Sequence, residues 1–173
     1  MRLEIAIIFS KTMIAAGSLK QLHLALLCTI LTIGVLTLDF AFALPADPWT
    51  AAQTVQPGPL VSELTQEKNP HVLVIDVGAR TLYNGAHIPG AVYYGPGSTE
   101  QGITDLKKYT ATLAKNSDVV LYCGCCPLQK CPNLRPAFTA LKDMGFARLR
   151  VLILPTSFNA DWVEKGYPVQ KGN

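Results

Sequence analysis

The stretch "DVVLYCGCCPLQKCPNLRPAFTALKDMGF", residues 118–146, passes from an apolar run through a cysteine-rich loop into an amphipathic segment. Its first six residues, "DVVLYC" (118–123), read as a strand buried on both faces, because the apolar run is continuous rather than alternating. "RPAFTALKDMGF" (135–146) reads as a helix, with Pro136 in its first turn and Gly145 as its C-cap. The loop between them is crowded with thiols: Cys123, Cys125, Cys126 and Cys131 fall within nine positions.

Working outward, the same alternation recurs. "HVLVIDV" (71–77) is a second buried strand, "AVYY" (91–94) a short strand after a Gly-Pro-rich approach, and "RLRVLILP" (148–155) another strand. "PLVSELTQEK" (59–68) places Leu60, Val61 and Leu64 on one helical face, and "ITDLKKYTATLAK" (103–115) does so with Ile103, Leu106, Tyr109 and Leu113. "SFNADWVEKG" (157–166) is a last helix, ending at Gly166. Strands alternating with helices over about a hundred residues predict an α/β domain, a parallel sheet with helices on both faces. In such sheets ligands bind where strand C-termini meet helix N-termini. The cysteine loop sits at one of these junctions.

The 173-residue chain is 49% hydrophobic, and much of that lies at its start. Residues 1–21 carry Arg2, Lys11 and Lys20 against Glu4, and "LHLALLCTILTIGVLTL" (22–38) is nearly all apolar. With the small residues Ala41 and Ala43 behind it, this leader predicts an export signal over 1–43, cleaved after Ala43, and a periplasmic or secreted protein. Left uncleaved, it would serve as a membrane anchor at the short limit for a spanning helix. Cys28 does not make a lipoprotein box, since most of the apolar run follows it. Residues 44–54 read as a linker with one anchoring aromatic, Trp49, and residues 55–170 as the folded domain. From Leu44 onward twelve Lys/Arg face ten Asp/Glu, a balance that gives no argument for nucleic acid.

A thiol between a strand end and a helix N-terminus has physical reasons to react. Loop N–H groups and the helix dipole stabilise an anion there, and the same field lowers a cysteine pKa. Cys123 leaves the strand and is expected at the mouth of this cradle. Arg135, at the start of the next helix, would add a fixed charge and two parallel donors.

These residues carry a family resemblance. "VLVIDVGARTLYNGAHIPGAVYY" (72–94) resembles the segment of rhodanese-like domains that runs from an aspartate-ended strand to a His-Ile-Pro-Gly-Ala turn. "DVVLYC" is similar to the strand that ends in that family's catalytic cysteine, and "DWVEKGYPV" (161–169) to its Trp-x-x-x-Gly-x-Pro ending. The resemblance implies a single α/β domain with a five-stranded, mostly parallel sheet. It also implies sulfane-sulfur transfer through a persulfide, with no organic cofactor, from a small anionic donor such as thiosulfate to a thiol acceptor. By position, Cys123 matches the nucleophile, Asp76 the strand-end carboxylate, Arg80 the arginine after it and Arg135 the arginine that closes the loop. Cys125, Cys126 and Cys131 are extra thiols that would relay or discharge a persulfide. His87 is expected to hold the Ile-Pro-Gly turn rather than act as a base.

Two features depart from the pattern. The loop from Cys123 to Arg135 is longer than usual, and "LPTSF" (154–158) replaces a Gly-Gly. Alternatives therefore stand beside sulfur transfer. Cys123 and Cys126 form a Cys-x-x-Cys ahead of a helix, which suits thiol–disulfide exchange. An even number of cysteines in an exported chain also suits a disulfide-locked, non-catalytic binding module. A metal held by Cys123, Cys125, Cys126 and Cys131 is a further alternative, although structural zinc sites usually take their ligand pairs from two separate elements. A phosphatase-like loop fails, because Gln129 stands where its arginine belongs.

Overall fold

The computed structural model describes residues 46–66 and 72–172. The 1–43 leader, with Cys28, lies outside the described residues. Five strands form one sheet: β1 (Thr54–Val55), β2 (Val72–Asp76), β3 (Val92–Tyr93), β4 (Asp118–Tyr122) and β5 (Arg148–Leu152). Their order is β1-β5-β4-β2-β3, and every pairing is parallel. Four of them coincide with strands read from the residues. The fifth, β1, is a two-residue edge strand, too short to show any hydrophobic period.

Parallel neighbours need crossovers, and helices supply them. These are α1 (Pro57–Thr65), α2 (Arg80–Gly85), α3 (Glu100–Thr110) and α4 (Leu134–Asp143). α3 begins earlier than its apolar pattern because Thr99 caps it, accepting from the Gly102 N–H at 3.0 Å. α4 ends before Gly145, whose φ of 85° gives the left-handed turn expected of a C-cap glycine. The "SFNADWVEKG" segment departs from expectation, since Asn159–Val163 winds as a short π-helix.

The central strands bury alternate residues on opposite faces. Val119 and Leu121 of β4 join Ile75, Leu149, Val151, Leu106, Phe138 and Leu141 in a core under α3 and α4. Val120 and Tyr122 face the other way, against Leu60, Ile88, Phe158 and Trp162. Each fully buried Leu or Phe contributes roughly 1.5–3 kcal/mol. Three layers follow, helices–sheet–helices.

The strand order also places the site. From β2 the chain moves outward to β3, whereas from β4 it moves to β5 on the other side. Asp76 and Tyr122 are paired in register at the ends of these two strands. The loops that follow therefore part, and a crevice opens between them. Cys123 is the first residue beyond β4.

Candidate active site

Cys123 lies at the C-terminal end of β4 with 2% of its surface exposed. Its sulfur is 3.1 Å from Cys125 Sγ and accepts from Asn133 Nδ2 at 3.3 Å. Cys131 is equally buried, and the sulfurs of Cys123, Cys125 and Cys131 all lie within 4.8 Å of one another. Cys126 is not part of this mutual trio, although its sulfur lies 3.3 Å from Cys125 Sγ. The structure thus groups Cys123 with Cys125 and Cys131, rather than with the Cys126 of the Cys-x-x-Cys motif. All four cysteines are thiols here. The trio supplies three soft ligand atoms on one side, so a thiophilic metal would find Cys123, Cys125 and Cys131 together, but not Cys126.

The cradle of N–H groups falls on a different sulfur from the one expected. Cys131 is held well below the ordinary thiol range, first by a hydrogen bond from the Cys123 thiol, and against the opposing effect of burial. The backbone N–H groups of Leu134 and Asn133, at the start of α4, also stabilise its anion. Cys123 is pushed up instead, first by that same hydrogen bond and then by burial. The physical reason is the long loop: eight residues after Cys123, the chain returns the fourth loop cysteine to the helix terminus.

Asp76 is 4% exposed, and its Oδ1 accepts from the Gly78 N–H at 2.6 Å. Burial raises its carboxyl from the ordinary 3.8 to about 6, against the opposing hydrogen bonds from Gly78 and from the Tyr122 hydroxyl. The native state therefore holds this proton more tightly than the unfolded chain. Its stabilising contribution is present below about pH 4 and is lost as pH rises through about 6. Asp76→Asn keeps an acceptor for Gly78 and removes the buried charge. We expect it to gain up to about 3 kcal/mol over the wild type near neutral pH, with the gain vanishing below about pH 4. Thermal melts of both proteins across that range would decide; a constant difference would place the effect elsewhere.

Gly78 lies between Asp76 and Cys123. A Cβ there would sit 3.0 Å from Asp76 Oδ1 and 3.2 Å from Cys123 Sγ. On the solvent side is a cleft of about 540 Å³ lined by Asp76, Gly78, Leu82, Cys125, Phe158 and Lys171, among others. The "LPTSF" segment forms its far wall. Asp161 Oδ2 accepts from the Thr156 and Ser157 N–H groups, and the Phe158 N–H donates to the Gly124 carbonyl at 3.2 Å. Gly124 must be glycine for this, because a Cβ would collide with the Phe158 side chain.

The arginines take other places. Arg80 lies over the Tyr93 ring, 4.1 Å from its centroid, and lines a separate hollow with Lys108 and Tyr109. Arg135 donates to the Cys131 carbonyl at 3.2 Å and pairs with Asp47 at 2.6 Å, so its guanidinium braces the loop through the backbone. Arg135→Ala should free that carbonyl and loosen the loop by about 1–2 kcal/mol, with Arg135→Lys recovering only part. Amide hydrogen exchange over 125–134 measures it, and unaltered protection would show that the prolines alone hold the loop. His87 is structural, as expected: its Nδ1 bonds the Tyr83 carbonyl at 2.8 Å and its ring stacks on Tyr83.

Asn133 and Lys171 were not singled out by sequence. Asn133 occupies the N-cap position of α4, yet its side chain makes no cap bond. Its Nδ2 serves Cys123 and its Oδ1 accepts from the Ser98 N–H at 3.0 Å. The "CPN" triplet ahead of a helix was the available signal, and it pointed to a cap.

The fold and site together define an α/β domain with a thiol at the switch point of a parallel sheet. A rhodanese-like domain model matches residues 60–162, and the chain belongs to that family. Among solved structures it is similar to the BH2092 protein of Bacillus halodurans, with 21% identity and a TM-score of 0.53 over 68% of this chain and 76% of that one. The Alr3790 protein of Anabaena sp. aligns with 24% identity and a TM-score of 0.52, over 68% of this chain and 82% of that one. A thiosulfate sulfurtransferase from Pseudomonas aeruginosa aligns at 26% identity and a TM-score of 0.51, over 75% of this chain but 21% of that one. No curated protein matches in sequence.

Proposed function

We propose that this protein is an exported sulfurtransferase that carries sulfane sulfur as a persulfide on Cys123. The observation that carries the reading is the position of Cys123, the first residue beyond β4, where the loops after β2 and β4 diverge, packed against Gly78, which lines the cleft. Family membership and the likeness to a thiosulfate sulfurtransferase support it. Cys131 accepts the Cys123 proton as Cys123 attacks the outer sulfur of a donor such as thiosulfate. The donor's S–S bond breaks and sulfite leaves with the electron pair. Asn133 Nδ2 holds the reacting sulfur, and Lys171 offers a positive charge in the cleft.

The test is a single turnover: reduced protein and thiosulfate, with sulfite measured as product. Stoichiometric sulfite supports the assignment, and none removes it. Export is tested separately by the N-terminus of the protein recovered from its host; a start after Ala43 is expected, and an intact leader on a membrane-bound chain would replace secretion by anchoring.

A further inference from the structure

Four cysteines within nine positions exceed what one persulfide carrier needs, and the fold brings three of them to one point. Cys123 arrives from the end of β4, Cys125 from the turn after it and Cys131 from the far end of the loop, just ahead of α4. Their sulfurs all lie within 4.8 Å of one another, and the edge from Cys123 to Cys125 measures 3.1 Å. A soft ion bound to three thiolates at about 2.3 Å, the length of a zinc–thiolate bond, holds them about 4 Å apart. The triangle is therefore of the size that one ion spans once its short edge opens. Cys125 is the side chain placed to open it, half-buried at the wall of the cleft, and the cleft gives an ion its way in. Asn133 supports the same sulfurs from outside the ligand set. Its Nδ2 donates to Cys123 Sγ at 3.3 Å and to Cys125 Sγ at 3.7 Å. The Ser98 N–H donates to its Oδ1, which fixes the end of the amide that faces the thiols. A buried, oriented donor to ligating sulfur is the kind of outer contact that steadies a metal–thiolate site.

We propose that Cys123, Cys125 and Cys131 form a three-coordinate site for a soft monovalent cation with the chemistry of Cu(I). Among the described residues, no fourth cysteine, histidine or carboxylate joins the mutual group, so the protein offers three ligands. That number decides between the thiophilic ions. Structural zinc is held by four ligands in a tetrahedron. Cu(I), a soft ion drawn to thiolates, is complete with three of them in a plane. An all-sulfur shell gives hard cations such as magnesium and calcium nothing to bind. Ligation takes thiolates, so the ion enters as thiol protons leave to solvent, up to three per ion, and no electron changes hands. The proposal goes beyond the sulfur-transfer reading and does not depend on it. The two meet at Cys123, whose sulfur can hold a sulfane sulfur or the ion but not both, so an ion-loaded chain takes up no sulfur.

The experiment titrates Cu(I), held by a chromophoric chelator, into the reduced protein without oxygen and reads the ion that the chelator loses. X-ray absorption then gives the shell around the bound ion. We expect one ion per chain, three sulfurs at about 2.3 Å and no second metal beside it. Cys125→Ser is the cleanest variant, because that residue stands at the cleft wall and its loss leaves the core untouched. It should weaken binding at least about 100-fold, and Cys131→Ser should do the same. Cys126→Ser should bind as the wild type does. Unaltered binding in Cys125→Ser, or loss of the ion in Cys126→Ser, overturns the site, as does a two-sulfur shell or a copper cluster. Zn(II) that displaces Cu(I) at equal concentration overturns the choice of ion. No uptake even with the ion in excess over the chelator overturns the proposal outright. Sulfite release from thiosulfate, measured on metal-free protein, decides the sulfur-transfer reading separately.

Discussion

Cys123→Ser is expected to lower sulfite release from thiosulfate by on the order of 10³-fold or more, because the covalent carrier of sulfur is gone. A serine hydroxyl fits the same space and still accepts from Asn133 Nδ2, so the fold should hold. The loss should lie in the chemical step and leave donor binding nearly unaltered. The substitution also removes the donor to Cys131 and leaves that thiol as the sole buried nucleophile of the pair. Cys131 is not open to the cleft, so it should not take over turnover of a bulky donor. Cys125 is the thiol to watch. It lines the cleft, and if Cys123→Ser retains more than about a tenth of the wild-type rate, Cys125 is the true sulfur acceptor and Cys123 its neighbour. Mapping the extra sulfur after single turnover separates the two.

How far the chain reveals this site depends on what each signal measures. Continuous apolar runs gave β2 and β4, since burial on both faces writes itself into consecutive residues, and β3 and β5 were also read as strands, though β3 proves a half-buried edge. The edge strand β1 left no such mark: the resemblance implied a fifth strand without placing it, and Thr54 fell in the segment read as a linker. Asp76 and Cys123 were legible because strand ends are legible. What position alone could not give is direction. Arg135 stands at the expected place at the start of α4, but the lengthened loop puts the Cys131 carbonyl and Asp47 against its guanidinium. Arg80 begins α2, and its side chain turns to Tyr93. The same lengthening returns Cys131 to the helix N-terminus, so the anion cradle inferred for the first cysteine serves the last one. Asn133 was hidden by its own ordinariness as a cap residue.

Gly78→Ala should damage the reaction strongly while altering no reactive group. Gly78 does not adopt a positive φ, so the backbone tolerates alanine and the effect is one of space. The added methyl would stand 3.0 Å from Asp76 Oδ1 and 3.2 Å from Cys123 Sγ, both tighter than ordinary van der Waals contact. Asp76 cannot retreat easily, because its Oδ1 is tied to the Gly78 N–H at 2.6 Å. The cost of relieving the contact falls on Cys123, whose sulfur must shift toward Cys125 and Cys131. Overpacking of this kind costs roughly 1–3 kcal/mol in stability. The larger effect is on reaction, for Gly78 stands between the cleft and Cys123, and a displaced nucleophile loses its line of attack. We expect kcat/KM for thiosulfate to fall about 100-fold, with alkylation of Cys123 by iodoacetamide slowed in parallel. If Gly78→Ala reacts with thiosulfate as fast as the wild type, the donor does not approach past Gly78, and the route to Cys123 must instead run from the Cys125 side of the cleft.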